Sequence, residues 1–265
     1  MGSPWPRTWV AAGAQAPASI GGLAVTDLAA RYGTPLFAVD LEELDARMAA
    51  WVGEAESAFA GLAGADVYYA SKAFTCTAMV RRAHAAGLRL DVASGGELAV
   101  ALAAGMDPAL IGLHGNNKSR AEIEAALMAG VGRIVVDSHS EIAFLGEIAA
   151  ERGVTAPVFL RVTTGVHAGD NEYVQTAHED QKFGLSLGAG EALAAARAVV
   201  EHPHLDLAGL HMHIGSQILV PDGHAVSARA LLALRAEIER QTGALVGEVD
   251  FGGGFGITYV DEDAL

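Results

Sequence analysis

The chain is poor in cysteine, in positive charge and in long apolar runs. Its one cysteine, Cys76, excludes an internal disulfide and suits a reducing, cytoplasmic setting. Cys76 follows Lys72 by four residues and reads as an ordinary packing residue. Against 32 Asp and Glu stand only 17 Lys and Arg, a formal net charge of -15. That balance disfavours nucleic acid and anionic membranes as partners and favours solubility, but does not exclude a small anionic cofactor in a local cationic pocket. No apolar run reaches the roughly 18 residues that a membrane-spanning helix needs. The N-terminus lacks the charged-then-apolar pattern of a secretory signal, and residues 1–34 read as a lead-in segment.

What is present is enough for one large core. The chain has 265 residues, 51% of them hydrophobic, with alanine concentrated in runs such as EALAAARAVV that favour helix. Short apolar runs alternate with these helical stretches. The strand candidates are PLFAVD (Pro35 to Asp40), VYYAS (Val67 to Ser71), RLDVAS (Arg89 to Ser94), IGLHG (Ile111 to Gly115), RIVVDS (Arg133 to Ser138), VFLRVT (Val158 to Thr163), AGLHMHIG (Ala208 to Gly215) and VGEVDFGG (Val246 to Gly253). Gly87, Gly105 and Gly130 stand where helix C-caps belong. This β-α alternation predicts a parallel sheet with helices outside, and eight candidates predict an α/β chain of the (β/α)8 barrel type. Polar residues gather at the strand ends, the face on which such barrels build their sites: Lys72, Asp91, Ser94, His114, Asn116, Asp137, His213 and Gly253.

Three runs carry candidate chemistry. Lys72 ends an apolar strand in VYYASKAF, where partial desolvation would leave its amine neutral and able to form a Schiff base. A surface lysine is the bland alternative. His211 and His213, two apart on a strand, can share a face; they read as core histidines, as a metal pair, or as one imidazole stacked on a cofactor ring. Gly215-Ser216 favours the last, since a backbone amide and a hydroxyl suit a phosphate. Gly252, Gly253 and Gly254 allow close approach of backbone amides to a phosphate, and GGGFG does not fit the dinucleotide spacing GxGxxG. Asp91 and Glu97 flank ASGG, where a carboxylate could orient the lysine or a ring substituent; alternatively Glu97 simply opens the next helix. Arg161, a cation inside the apolar VFLRVT, needs an anionic or carbonyl partner.

The runs YYASKAF, LDVASGGEL, LHGNNKS, IVVDS, HEDQKFGLSL, GLHMHIGSQI and VDFGGGFGITY, in this order from about Pro35 to Tyr259, resemble the fold-type III decarboxylases that use pyridoxal 5'-phosphate, nearest to those acting on diaminopimelate. The resemblance implies a barrel of the alanine racemase type, with Lys72 as the Schiff-base lysine and His213 stacked on the pyridine ring. Ser216 and the Gly252, Gly253 and Gly254 backbone would hold the phosphate, and Asp91 and Arg161 would belong to the surrounding shell; no metal is implied. It implies decarboxylation of meso-2,6-diaminopimelate to L-lysine and carbon dioxide by a cytoplasmic homodimer acting on a small amino-acid substrate. Relatives acting on arginine, ornithine or carboxynorspermidine, and a non-catalytic single-domain cofactor-binding barrel, are the alternatives. Two departures stand out. Asp170-Asn171 replaces the family's Thr-His, and the family's Glu-Pro-Gly-Arg strand and following β-rich domain are not found. Residues 35–265 are therefore expected to form an incomplete barrel that lacks its last strand, with Pro35 to Asp40 leading out of the other domain and little activity in the 265-residue chain alone.

Overall fold

A computed structural model describes residues 4–166 and 183–259. In chain order the elements are β1 (Ser19–Ile20), β2 (Leu23–Ala24), α1 (Val25–Tyr32), α2 (Leu41–Ala58), β3 (Tyr68–Ala70), α3 (Thr77–Ala85), β4 (Arg89–Val92), α4 (Gly95–Ala103), β5 (Ile111–Leu113), α5 (Arg120–Ala129), β6 (Arg133–Val136), α6 (His139–Arg152), β7 (Ala156–Thr163), β8 (Leu185–Ser186), α7 (Glu191–Glu201), β9 (Leu205–Met212), α8 (Asp222–Thr242) and β10 (Glu248–Asp250). Two compact units divide them. One comprises residues 1–68, 82–89 and 257–265, and the other residues 69–81 and 90–256.

The smaller unit holds the antiparallel β1–β2 pair, α1 and α2. Asp40 caps α2 by accepting the backbone N–H of Glu42 and Glu43. On α2, the buried Glu43 carboxylate is shared by Arg7 at 2.6 Å and Arg47 at 2.7 Å. Residues 35–40 form no strand, against the expectation from PLFAVD. A strand needs a hydrogen-bonded neighbour, and among the described residues this run has none; Phe37 is 99% exposed.

The larger unit is a parallel half-barrel. Its sheet runs β10-β9-β7-β6-β5-β4-β3, with the short β8 beside β7. Seven of the eight strand candidates therefore stand as β3, β4, β5, β6, β7, β9 and β10. The helices start where the sequence provides caps. Ser94, Ser119 and Ser138 each accept the backbone N–H of the glutamate three residues on, opening α4, α5 and α6. Gly130 and Gly153 end α5 and α6 in the left-handed conformation, as a side-chain-free residue can.

The two-residue period of each strand sorts the two faces of this sheet. Leu90 and Val92, Ile111 and Leu113, Ile134 and Val136, Val158 and Leu160, and Leu210 and Met212 join Leu98, Ala101, Ile123 and Leu145 of the helices in one apolar core. The alternate residues line the inside of the half-barrel. There Gly209 makes room for the Phe159 ring, which would collide with any Cβ at that position. Near the start of the strands Arg133 of β6 reaches Glu248 of β10, with Nε 2.9 Å from the carboxylate, and lies over the Phe159 ring. The strand ends on the same inner face carry the polar residues.

Candidate active site

A row of alternating carboxylates and imidazoles crosses the inner face at the strand ends. Asp91 of β4 lies 3.2 Å from His114 Nε2, just beyond β5. The space for that contact exists because the neighbouring residue is Gly112, where a Cβ would stand 2.9 Å from Asp91 Oδ1. His114 meets His211 of β9 edge to face, with ring centroids 5.0 Å apart. His211 Nδ1 lies 3.2 Å from Asp250 Oδ2 of β10, close enough for ionic attraction but not aligned for a hydrogen bond. Asp250 also accepts the Gly252 N–H at 2.7 Å, which bends the chain into the glycine run. Burial alone would push the Asp250 carboxyl up; His211, the Gly252 N–H and His114 override it and hold the carboxyl well below the usual range. Burial likewise opposes a charge on His114, and Asp91 overrides it, raising the imidazole above its ordinary value.

His213 follows β9 and faces the opposite situation. Burial first, then repulsion from its neighbours His211, Arg161, Lys72 and His114, lowers its pKa to about 4. Its ring is therefore neutral near pH 7. Its Cε1 packs toward Gly254, 3.5 Å from where a Cβ would stand. The two histidines of the His-x-His run thus part: His211 joins the carboxylate row and His213 joins the glycine run. Among the described residues no group of three or more His, Cys, Asp or Glu converges as a metal ligand set.

The glycine run and the Gly215-Ser216 turn lie side by side. The Ile218 N–H donates to the Gly254 carbonyl at 2.9 Å, and the Gly256 N–H donates to the Ile218 carbonyl at 2.9 Å. Gly252 and Gly254 have φ of 71° and 87°, and a Cβ on either would collide with a backbone carbonyl, of Met212 and of Gly215 respectively. Those two glycines are demanded by the fold. Gly253 is not: its φ is not in the left-handed region, and a Cβ there would meet nothing within 4 Å. A side chain at Gly253 would enter open space, and Ser216, in the turn that meets Gly254, is exposed. This cradle fits a phosphate, since it offers close backbone approach and a hydroxyl without a crowding side chain.

Lys72 sits in a short turn of 3-10 helix, Ser71–Ala73, directly after β3. Its side chain is exposed, so the desolvation expected from the sequence is not met; the turn lifts it to the open rim of the half-barrel. Arg161 of β7 is half-buried, with its guanidinium 3.8 Å from Asp137 Oδ2 at the end of β6 and 4.8 Å above the Phe183 ring. The expected anionic partner is therefore Asp137, whose Oδ2 is buried and makes no hydrogen bond. Burial lowers the Arg161 pKa and Asp137 opposes the shift. Glu97 follows the plainer of its two readings, accepting the Ala93 N–H at 2.5 Å and completing the start of α4. Lys118 of LHGNNKS is 3% exposed and donates to the Gly115 carbonyl at 2.6 Å and to Glu141 at 2.7 Å, tying the loop after β5 to α6. Asp170 and Asn171 lie outside the described residues.

His114 was marked by its strand-end position but given no specific role, and Asp250 and His224 were given none. Asp250 stands two residues before the glycines, a position that could have marked it. Nothing marked His224, which lies on α8, far from the strand ends in sequence.

The family model described as "Pyridoxal-dependent decarboxylase, pyridoxal binding domain" matches residues 41–265. The diaminopimelate decarboxylase of Mycobacterium tuberculosis is 48% identical over 248 residues, 92% of this chain and 54% of the relative. That of Bacillus subtilis is 42% identical over 247 residues, 92% of this chain and 55% of the relative. The crystal structure of diaminopimelate decarboxylase from M. jannaschii in complex with L-lysine superposes with a TM-score of 0.84 at 28% identity, covering 97% of this chain and 59% of that one. The chain spans about half the length of the curated relatives it matches.

Proposed function

This chain belongs to the pyridoxal-dependent decarboxylases through their pyridoxal-binding domain, and we propose that it is the cofactor-holding part of a protein that decarboxylates meso-2,6-diaminopimelate to L-lysine. The observation that carries this reading is the glycine cradle. Two of its glycines are required by the backbone, and the third is open where a phosphate would lie, beside a neutral imidazole. Two relatives named diaminopimelate decarboxylase at 42–48% identity support the choice of substrate.

Pyridoxal 5'-phosphate, when bound, supplies an electron sink for the pair left on the α-carbon as carbon dioxide departs. The residues of this chain would hold and orient it. Lys72 offers a primary amine to the cofactor aldehyde from the rim after β3. The Ser216 hydroxyl and the backbone of Gly252, Gly253 and Gly254 hold the phosphate. His213, kept neutral by burial, presents the flat face of its ring without placing a charge against the cofactor. Asp91 and His114 form a polar floor with His211 and Asp250, while Arg161, paired with Asp137, faces His213 from β7. Decarboxylation needs the breaking carbon–carbon bond set across the plane of the cofactor ring, so rigid seating at phosphate and ring is the contribution of this half.

The same reading makes the whole protein a cytoplasmic homodimer, supported by the single unpaired cysteine and by the resemblance of its motifs. Light scattering at twice the subunit mass is the expected result.

The test is chemical. Borohydride reduction of the purified protein with pyridoxal phosphate, followed by peptide mapping, should place the cofactor on the peptide containing Lys72, and Lys72→Ala should abolish the capture. Incubation of the whole protein, rather than the 265-residue chain alone, with meso-diaminopimelate should release lysine and carbon dioxide in equal amounts. Capture at another lysine would overturn the assignment of Lys72. Release of a diamine from ornithine or lysine instead would overturn the substrate.

A further inference from the structure

His224 lies in the first turn of α8, outside the set of residues that the sequence motifs single out. Its Nε2 is 3.0 Å from the carbonyl oxygen of Gly253, and its ring stacks on Phe255, with centroids 4.8 Å apart and planes 13° from parallel. A carbonyl only accepts, so Nε2 carries the proton. Nδ1 is buried and has no hydrogen-bond partner among the described residues. Stacking on Phe255 would be served as well by a phenylalanine, which carries no unpaired nitrogen into the interior. The part of histidine that a purely packing residue does not need is the Nε2–H, and that atom is spent on the middle glycine of the cradle.

We propose that His224 is a positioning residue for the phosphate cradle: clamped against Phe255, it holds the Gly253 carbonyl and thereby aims the Gly254 N–H. The geometry follows from the peptide bond. In a trans peptide the C=O and the next N–H point in opposite directions across one plane. A hydrogen bond from His224 that fixes the Gly253 carbonyl therefore fixes the Gly254 N–H on the opposite side, away from α8. Gly253 is the residue that neither φ nor packing constrains, so its peptide is the one that needs an external restraint. The carbonyl of Gly254 is already held by the Ile218 N–H. With His224 in place, both carbonyls of the Gly253-Gly254 pair are anchored.

This inference rests on the reading of Gly252 to Gly254 as a phosphate cradle, and the experiment separates the two. The purified protein and its His224→Phe, His224→Gln and Ser216→Ala variants are titrated with pyridoxal phosphate and with pyridoxal, which lacks the phosphate. The 31P resonance of the bound phosphate and the melting temperature are recorded for each. Phenylalanine keeps the stack and removes the donor; glutamine keeps a donor and removes the stack. His224→Phe should weaken pyridoxal phosphate about three- to tenfold, shift the 31P line, and leave pyridoxal affinity and melting temperature unchanged. His224→Gln should hold pyridoxal phosphate nearly as well as the parent. Equal weakening of both ligands in His224→Phe, or equal loss in the Phe and Gln variants, would overturn the proposal. Loss of the phosphate preference in Ser216→Ala with none in His224→Phe would overturn the role of His224 alone. Equal affinity of the parent protein for the two ligands would overturn the cradle itself. Should His224→Phe melt early, His224→Gln decides: retained affinity supports the donor role and lost affinity refutes it.

Discussion

His114 and His211 meet edge to face across the inside of the half-barrel, 5.0 Å between ring centroids, joining the end of β5 to β9. Each ring has its own carboxylate, Asp91 for His114 and Asp250 for His211. The row therefore spans four strands, and its charges are set by one another as well as by burial. Two of its shifts have opposite pH signatures. The Asp250 carboxyl is held down, so its contribution to stability is present above the unfolded value of about 3.9 and fades as pH falls. The His114 imidazole is raised, so its contribution is full below about 6.5 and fades as pH rises through the folded value.

Replacing Asp250 by Asn should therefore destabilise the protein near pH 6, by about 1–3 kcal/mol for the loss of a half-buried, hydrogen-bonded carboxylate. The penalty should shrink as pH falls below about 4, because the unfolded carboxyl takes up a proton there that the folded one refuses. Urea unfolding of both proteins across pH 3–7 checks this. A penalty independent of pH would mean that Asp250 acts through shape, not charge.

His213 should titrate with a midpoint near pH 4, visible in the NMR shift of its Cε1 proton. The sign for stability follows. Between pH 4 and about 6.5 the unfolded imidazole binds a proton that the folded one refuses, so the parent loses stability as pH falls through that window. His213→Phe should remove that part of the acid sensitivity while keeping a flat face for the cofactor ring. His213→Ala should lose both the flat face and the acid sensitivity, weakening pyridoxal phosphate by about tenfold or more. Tight binding in the alanine variant would eliminate ring stacking as the role of His213.

Much of this arrangement was legible in the sequence, for a definite reason. The strands of a parallel sheet repeat an apolar pattern with punctuation at each end, and seven of eight candidate runs fold as read. PLFAVD shows the limit of that signal, since its pattern suits a strand and its neighbours offer no edge to pair with. The strand-end positions of Lys72, His213 and the glycines were legible because each apolar run ends where the polar or glycine residues begin. Their environments were not. Lys72 was expected to be partly desolvated and is exposed, because local sequence says nothing about how far a turn lifts a side chain. His224 was invisible, because its tie to Gly253 runs through a helix face that only tertiary packing creates.

Lys118 offers a test of the scaffold apart from the site. It is 3% exposed and its ammonium is neutralised by Glu141, itself bonded to the Asp137 N–H. Lys118→Met leaves the Glu141 carboxylate without its cation and removes the donor to the Gly115 carbonyl. The expected cost is about 3–5 kcal/mol, as for breaking a buried pair by removing one partner. Guanidinium denaturation measures it. A cost under about 1 kcal/mol would mean that solvent reaches the pair and screens it.

The glycine run should separate folding from binding. Gly254 has φ of 87° and no room for a Cβ beside the Gly215 carbonyl, so Gly254→Ala must move one of the two backbone segments that cross there. It should lower stability by several kcal/mol, about 2–4 when conformational strain and steric displacement act together. Gly253 has neither constraint, so Gly253→Ala should melt within a degree or two of the parent, since surface substitutions without strain cost about 0.5 kcal/mol or less. Yet its methyl group would stand in the open space where the phosphate is proposed to sit. Pyridoxal phosphate should therefore bind Gly253→Ala at least about tenfold more weakly, with pyridoxal less affected. Thermal melts without cofactor and titrations with both ligands give the four numbers required. If Gly253→Ala binds pyridoxal phosphate like the parent, that open space is not the phosphate site, and the cradle must be sought on the other side of the Gly252 to Gly254 run.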